Sequence, residues 1–391
     1  KNDPWLTGNK HKQKAIEAMS AAVNTLPDPQ MSVSLANLPT DGFDFSQEGM
    51  TQAKIGVSQR FPRGDTLAIK SQQLKIQSQA YPYLRKDREA KVAVTVGGLW
   101  LEVYRVQESI ALIEKNRTLF EQLVDVAEAS YSSALGKTRQ QDIIRAQLEL
   151  TRLEDRLDKL GQKKNRYEGM LSQWLMKFNT DNYSTSESAL LSVFSLHNIQ
   201  LTAELPQIDL QNSELVNNEK WLTPNELIPL FYNHPSVIAL VQKITATQTG
   251  IELAKQKYKP EWGVNASYGY RDDDPMANNR ADLFSVGVTF DLPLFTDNRQ
   301  DNEVKSAISE TEAVKTEKIL LLRKLLSAYS SGKGRLLRLK DRQYLYRATL
   351  LPQTYEQAEA SLTSYTNDDG DFSEVVRSRI AVLNAEIDVL T

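Results

Sequence analysis

The most constraining feature of this 391-residue sequence is an internal repeat with an offset of 231 residues. Gly56-Val57-Ser58 reappears as Gly287-Val288-Thr289, and the same offset relates Ala127-Glu128-Ala129-Ser130 to Ala358-Glu359-Ala360-Ser361. Beyond that point the register slips by a single residue. Isolated matches arise by chance, but a register kept this long indicates two copies of one structural unit. The chain is therefore predicted to fold as two similar halves.

Both halves show the same order of elements: two strands, a very long helix, a turn that we call the tip, and a return helix. In repeat 1, residues 1–176, we predict strands at about 29–38 and 51–62, a long helix at about 64–135, a tip at 135–141 and a return helix at 140–176. In repeat 2, residues 224–391, we predict strands at about 260–271 and 282–293, a long helix at about 297–366, a tip at 367–372 and a return helix from 373. Residues 177–222 are rich in Ser, Asn and Thr, and are predicted to form a linker, or collar, between the repeats.

The predicted strands alternate strictly between apolar and small polar residues. In the first strand, Met31, Val33 and Leu35 alternate with serines and an alanine, and a period of two indicates one apolar and one polar face. A half-buried soluble sheet covered by helices would show the same alternation. The polar faces carry Gly, Ser and Asn, and aromatic residues gather toward the strand ends, which favours lipid-facing strands. Because four strands cannot close a barrel and open edges are not tolerated in lipid, a membrane role requires several copies.

The long helices show heptad spacing. Apolar residues in the first one are spaced 4-3-4-3, at Leu99, Val103, Val106, Ile110 and Ile113, and the leucines of its return helix are spaced 3-4-3, at Leu150, Leu153, Leu157 and Leu160. This spacing is typical of coiled-coil packing. A helix of about 70 residues would be roughly 100 Å long, which is too long for a compact globule of this size. Pro82 and Pro352 are expected to bend the two long helices.

The composition excludes several classes of protein. A net charge of −3 argues against a nucleic-acid binder, and the absence of cysteine excludes disulfides and thiolate metal sites. No apolar run reaches the roughly 18 residues of a transmembrane helix. His11, His197 and His234 show no metal-ligand spacing, and His234 is expected to start a helix instead. With no nucleophile–base pairing visible, we expect a protein that is not an enzyme and that needs neither metal nor cofactor.

Several short motifs, in their order and spacing, resemble the TolC-like outer-membrane factors of Gram-negative bacteria over nearly the whole chain. These motifs are Leu26-Pro27-Asp28-Pro29-Gln30, Asn233-His234-Pro235, Asp291-Leu292-Pro293-Leu294-Phe295, and the tip runs Gly136…Asp142-Ile143-Ile144-Arg145-Ala146 and Gly370-Asp371-Phe372. The Leu-Pro-Asp-Pro entry is similar to the heavy-metal branch of RND efflux systems.

The resemblance implies a mainly α protein with a membrane β-barrel. A homotrimer would pool four strands per chain into a twelve-stranded barrel in contact with outer-membrane lipid, and its helices into a twelve-helix periplasmic barrel. It would be the passive exit duct of a tripartite efflux system. An inner-membrane pump, of RND type, would supply substrates through a periplasmic adaptor, or membrane fusion protein. The alternatives are a type I secretion duct of the same fold and, from a different class, a soluble coiled-coil scaffold.

The second tip holds three acidic residues, Asp368, Asp369 and Asp371. In a trimer they would form a ring of carboxylates around a narrow pore, which would favour cations and serve as a periplasmic gate. Acidic, glycine-containing turns are also common at helix starts. Asp371 could therefore cap the return helix and turn away from the pore.

The first tip carries mixed charges that could form ion pairs with neighbouring tips and latch a closed state. Exposed ion pairs contribute only about 0–1 kcal/mol each, although threefold repetition would add to this. A plain solvated turn would look the same in sequence. The residues expected to shape the tips or to contact the adaptor are Gly136, Lys137, Arg139, Gln140, Asp142, Gly370, Phe372, Glu374 and Arg377.

Overall fold

A computed structural model describes residues 3–132, 139–175, 204–205, 219–276, 278–367 and 369–390. The chain divides into two compact units. The helical unit comprises Lys1–Pro4, Arg88–Thr223 and Leu326–Thr391, and the sheet unit comprises Trp5–Asp87 and Pro224–Leu325. The predicted collar at 177–222 lies almost entirely outside the described residues. Of its last residues, Trp221 packs edge-on against Tyr329, with ring centroids 6.1 Å apart.

The described residues are mostly helical. The α-helices are α1 Pro4–Ala22, α2 Thr66–Gln79, α3 Tyr81–Ser132, α4 Gln140–Leu175, α5 Pro224–Tyr232, α6 Pro235–Lys255, α7 Gln300–Leu345, α8 Leu351–Thr366 and α9 Phe372–Val389. A 3-10 turn, Gln256–Tyr258, follows α6, and a π-turn, Tyr346–Leu350, joins α7 to α8.

Four strands form one antiparallel sheet in the order β1-β2-β3-β4. They are β1 Gln30–Ala36, β2 Gln52–Phe61, β3 Trp262–Tyr270 and β4 Leu283–Phe290, one in each predicted strand range. Since β2 pairs directly with β3, the hairpins of the two sequence halves share a single sheet.

The two hairpins differ in register. Val33 lies opposite Ile55 in the first hairpin, whereas Val264 lies opposite Val288 in the second. The sequence offset relates Ile55 to Val286, so the second hairpin is displaced by two residues. A displacement by one residue would exchange the two faces of a strand, but a displacement by two keeps each side chain on its own face. The apolar and polar faces therefore continue across both hairpins.

The long helices expected at 64–135 and 297–366 are each divided next to a proline. Ala80 separates α2 from α3 just before Pro82, and the π-turn precedes Pro352. Proline lacks a backbone N–H, and its ring clashes with the carbonyl four residues earlier. For Pro82 that carbonyl belongs to Ser78, and for Pro352 it belongs to Ala348, inside the π-turn. Both divisions thus have a local steric cause.

The helical unit has a continuous apolar core built on the heptad positions. The buried side chains of α3 and α4 include Val106, Ile113, Leu153 and Leu160, which confirms the predicted inward faces of these helices. The same core includes residues of α9, namely Phe372, Val375, Val376, Leu383 and Ile387, and is flanked by Leu362 and Tyr365 of α8. Four helices therefore share one core in this unit.

In the sheet unit, polar contacts join the packed helices. Gln73 of α2 donates to the carbonyl of Ala246 in α6 at 3.2 Å, and Ser20 of α1 donates to the carbonyl of Ser71 at 2.8 Å. Lys243 of α6 pairs with a carboxylate of α7 at 2.9 Å. Among the described helices of the whole chain, none combines the length and the apolar character needed to cross a membrane.

Truncation of the shared core should cost stability. Leu383 is 0% exposed, whereas Leu345 is 51% exposed. We expect Leu383→Ala to lower the free energy of unfolding by about 2–5 kcal/mol, because it removes apolar contacts and leaves a cavity. The control Leu345→Ala should change it by about 0.5 kcal/mol or less. Circular dichroism during denaturant unfolding measures both, and equal losses would contradict the assignment of this core.

Candidate functional site

The sheet exposes an apolar face. The register places Val33, Ile55, Tyr268 and Phe284 side by side in one row across the four strands. Val33 is 77% exposed and Phe284 is 72% exposed. Contiguous exposed apolar surface of this kind marks a site that contacts a membrane or another protein. A sheet covered by its own helices would bury this row, so the covered soluble sheet considered from the sequence is not what the fold presents.

The opposite face carries small polar residues. The neighbouring row consists of Ser32, Gly56, Ser267 and Ser285. A Cβ added at Gly56 would lie 2.9 Å from Ser32 Oγ and 3.4 Å from the Cβ of Ser267. Side chains on this face are thus kept small by their cross-strand neighbours. An apolar face backed by a small polar one matches the outward and inward faces of a barrel strand.

The sheet has two free edges. Strands β1 and β4 each pair with only one neighbour among the described residues. An edge strand presents unpaired N–H and C=O groups, which soluble proteins normally cover, bulge or charge. Here the edge strands carry exposed apolar residues instead, including Met31 and Val286 at 66% and 64% exposed. This combination favours strand pairing with another chain.

The second tip is built around Asp371, which caps α9. Its Oδ1 accepts a hydrogen bond from the backbone N–H of Ser373 at 3.0 Å. This hydrogen bond, assisted by the positive charges of Arg145 and Arg139, holds the pKa of Asp371 below its ordinary value. The capping alternative considered from the sequence is therefore the geometry of this carboxylate. Arg145 was not singled out as a site residue, because it lies in the other half of the chain and no spacing links it to Asp371.

Gly370 and Phe372 define the shape of this turn. A Cβ added at Gly370 would lie 2.7 Å from the backbone nitrogen of Tyr365, so only glycine fits without a backbone shift. Phe372 is 2% exposed and packs edge-on against Tyr365, with ring centroids 5.5 Å apart. Asp369 is exposed. Asp368 lies outside the described residues.

In the first tip, the turn into α4 is held by Asp142. Its Oδ2 accepts from the backbone N–H of Arg139 at 3.0 Å, and the side chain is buried at 6% exposed. The side chains of Arg139 and Gln140 are exposed. Gly136 and Lys137 lie outside the described residues. The carboxylate thus satisfies a backbone donor at the helix start, the role of the acidic residue in a capping box.

The burial of Phe372 and Asp142 corrects one sequence expectation. Neither side chain is accessible to an adaptor, because one fills the core beneath the tip and the other is turned onto its own backbone. Their part is to shape the tips. The described candidates that keep accessible surface are Arg139, Gln140, Gly370, Glu374 and Arg377. Glu374 and Arg377 form an ion pair with each other at 3.0 Å.

The sequence expectation for His234 is confirmed, because this residue starts a helix. Its side chain accepts from the backbone N–H of Ser236 at the N-terminus of α6, at 3.3 Å. Among the described residues, no group of three or more His, Cys, Asp or Glu side chains is arranged to hold a metal ion.

Two structural features define the class of fold. Long heptad helices share one core, and a four-stranded antiparallel sheet leaves an apolar face and both edges open. This is the fold of the TolC-like outer-membrane channels.

Comparison with solved structures supports this assignment. The chain matches the outer-membrane channel OprN with a TM-score of 0.72 at 12% identity, covering 100% of this chain and 83% of that one. The outer-membrane protein VceC of Vibrio cholerae matches with a TM-score of 0.72 at 12% identity, over 99% and 87% of the two chains. The CmeC outer-membrane channel of Campylobacter jejuni matches with a TM-score of 0.72 at 12% identity, over 100% and 79%. No family model and no curated protein matches the sequence.

The cap at Asp371 makes a prediction about local stability and its pH dependence. Asp371→Ala removes the acceptor for the Ser373 N–H and should cost about 1 kcal/mol of local stability. Because folding lowers the pKa of Asp371, the contribution of the charged cap is present above the ordinary value of 3.8 and is lost as the pH falls through the lower folded value. Hydrogen exchange of the amides of residues 372–376 would report both effects.

The variant Asp371→Asn is the matched control, because asparagine keeps a capping oxygen but does not titrate. It should protect these amides nearly as well as aspartate at neutral pH and show no loss of protection in acid. Rapid exchange in the asparagine variant at neutral pH would show that charge, not capping, holds the turn.

A second prediction concerns the close approach at Gly370. Gly370→Ala forces the backbone near Tyr365 to shift and should destabilise the tip by about 1–3 kcal/mol. Gly332 of α7 has open space around its added Cβ. Gly332→Ala should therefore be neutral or stabilising, by about 0.5–1 kcal/mol. Opposite signs are expected in thermal unfolding, and a neutral Gly370→Ala would mean that the turn tolerates a side chain.

Proposed function

We propose that this chain is the subunit of an outer-membrane channel that serves as the exit duct of a tripartite efflux system. The observation that carries the proposal is the exposed apolar face that runs across all four strands, from Val33 to Phe284. Such a face is costly in water and suited to lipid. The channel would sit in the outer membrane of a Gram-negative bacterium, with its helices in the periplasm.

The channel would be a homotrimer. One chain supplies four strands, and the edges of β1 and β4 must find partners if the sheet enters lipid, where unpaired backbone groups are not tolerated. Pairing β4 of one copy with β1 of the next would join three copies into a closed barrel of twelve strands. Closed cyclic symmetry is the usual solution for identical subunits. The two structural repeats predicted from the sequence would then alternate around the ring.

The tips would form the periplasmic entrance and meet an adaptor and an inner-membrane pump, which we propose to be of RND type. The exposed residues Arg139, Gln140 and Arg377 offer polar groups for that contact. The chain would carry out no chemical reaction, and conduction would be passive. The energy for transport would come from the pump.

The proposal is tested by fractionation and by reconstitution. The protein should remain with outer membranes after a detergent-free wash, migrate as a trimer that dissociates on heating, and form ion channels in planar bilayers. The rival, a soluble coiled-coil scaffold, predicts release into the wash as a species without channel activity. That result would overturn the proposal.

The acidic tip gives a sharper prediction about selectivity. We expect Asp369→Asn to reduce the preference of single channels for cations, because this exposed carboxylate would ring the pore in a trimer. The control Asp371→Asn should change selectivity less, since the carboxylate of Asp371 is already engaged with the N–H of Ser373. Reversal potentials in asymmetric KCl measure both. Equal effects of the two variants would contradict a gate role centred on Asp369.

A further inference from the structure

A polar cavity of about 310 Å³ lies within the sheet unit, where the strands give way to helices. Its walls come from the start of α2, the turn after α6 and the start of α7, and its polar lining residues are Arg63, Lys70, Lys257, Glu261, Arg299 and Gln300. Small-molecule sites in proteins begin at about this volume. None of these residues belongs to the tips or to the exposed face of the sheet.

Two of the four cations of the cavity are already neutralised. Arg63 pairs with Asp291, and Lys257 pairs with Glu303 at 2.8 Å. These contacts join the end of β4 and the first turn of α7 to the remainder of the junction. They hold the walls of the cavity together and leave little of the charge of Arg63 and Lys257 for a ligand.

The other two cations are not neutralised by the protein. Within the part of the chain that the structure describes, neither Lys70 nor Arg299 has an ion-pair partner, although both line the same cavity. Lys70 lies on α2 and Arg299 immediately precedes α7. Two cations that converge from separate elements are a usual arrangement for binding a phosphate group.

A further observation points to a ligand that also donates hydrogen bonds. Gln300 is 7% exposed, and its Oε1 has no hydrogen-bond partner. Gln300 is also a lining residue of the cavity. A buried acceptor without a donor is unfavourable, so such groups are normally satisfied by protein, water or ligand. A ligand that combines a phosphate with an N–H donor would satisfy both Gln300 and the two cations.

The surroundings of the cavity are apolar. Glu261 also lines a second cavity, of about 370 Å³, together with Trp262 and Phe290 at the ends of β3 and β4. The segment that connects β4 to α7 exposes Leu294 and Phe295 at 71% and 85%. A polar cavity beside an exposed apolar and aromatic surface is suited to an amphiphile that has a phosphate headgroup and acyl chains.

We propose that this cavity binds the headgroup of an aminophospholipid. Lys70 and Arg299 hold the phosphate, and Gln300 Oε1 accepts from the ammonium of the headgroup. The acyl chains lie along the apolar surface near Trp262 and Phe295. This inference rests on the proposed function, which puts the helix-side ends of the strands at the periplasmic surface of the outer membrane. The lipid would brace the junction between strands and helices.

Native mass spectrometry of the detergent-extracted trimer tests the site. Three probes are titrated separately: dihexanoyl phosphatidylethanolamine, dihexanoyl phosphatidylcholine and inorganic phosphate. The choline headgroup carries the same phosphate but has no N–H to donate. The ethanolamine lipid should bind roughly tenfold more tightly than the choline lipid, as a hydrogen bond to a charged donor would produce. Inorganic phosphate should bind more weakly than either lipid.

The cation pair is tested by the double variant Lys70→Gln with Arg299→Gln, which should weaken binding of both lipids by roughly tenfold or more. The matched control is Lys75→Gln with Lys305→Gln. These two lysines lie on the same helices and are exposed, so the control makes the same change in charge outside the cavity. It should bind lipid as the unmodified protein does. Equal weakening in both double variants would overturn the site.

Gln300→Met tests the donor requirement at similar side-chain volume. The preference for ethanolamine over choline should disappear, while affinity for the choline lipid should be unchanged. A preserved preference would refute the assigned role of Gln300. If inorganic phosphate competed as well as the lipids, the cavity would be a site for a soluble phosphate compound and the lipid assignment would be wrong.

The same preparations separate this inference from the proposed function. Trimers that conduct in bilayers but show no headgroup preference would refute the lipid site and leave the channel assignment intact. A protein that neither forms trimers nor enters membranes would refute the channel assignment itself. Channel formation by the Lys70 and Arg299 double variant would show that its loss of lipid is not a failure to fold.

Discussion

Backbone hydrogen bonding at the outer edges of β1 and β4 is the constraint on which the rest of the architecture depends. A sheet of four strands satisfies its inner ladders and leaves two edges unpaired. In water such edges can bind solvent, but in hydrocarbon each unpaired group costs several kcal/mol. The apolar face favours lipid, and the edges forbid it to a single copy. The proposed trimer removes this conflict because pairing between copies satisfies the edges.

The tips depend on a different balance, in which local backbone needs outweigh charge display. An acidic turn would suit a pore ring, yet the carboxylates of Asp371 and Asp142 are engaged with the backbone N–H groups of Ser373 and Arg139. Helix starts leave such donors unsatisfied, and a nearby carboxylate is the cheapest acceptor. Exposed Asp369 is then the described acid that is available for display at the entrance. Sequence composition alone overstates how many acids a tip can present.

The sequence predicts elements wherever burial is periodic along the chain. The alternation around Val33 located a strand, and the heptads around Ile113 and Leu153 located inward helix faces, because each pattern reflects one neighbouring layer. The prolines at 82 and 352 explain the helix divisions, since their effect is local.

What escaped prediction depends on residues that are distant in sequence. The burial of Phe372 requires Tyr365 and the core beneath it. The two-residue displacement between the hairpins follows from pairing, which the repeat does not encode. Arg145 influences Asp371 from the other half of the chain. The cavity near Gln300 is assembled from three separate segments, so no local motif announces it.

The pairing of β2 with β3 has a consequence for how the protein is made. Phe61 lies opposite Trp262, although about 200 residues of chain separate them. A contact of such long range forms slowly, because a large loop must close before the ladder is rewarded. While the second half is still being translocated, the first hairpin would expose its apolar face and both edges to other chains. The periplasm must therefore shield this hairpin during synthesis, and a chaperone with affinity for extended apolar strands would set the yield of assembled protein.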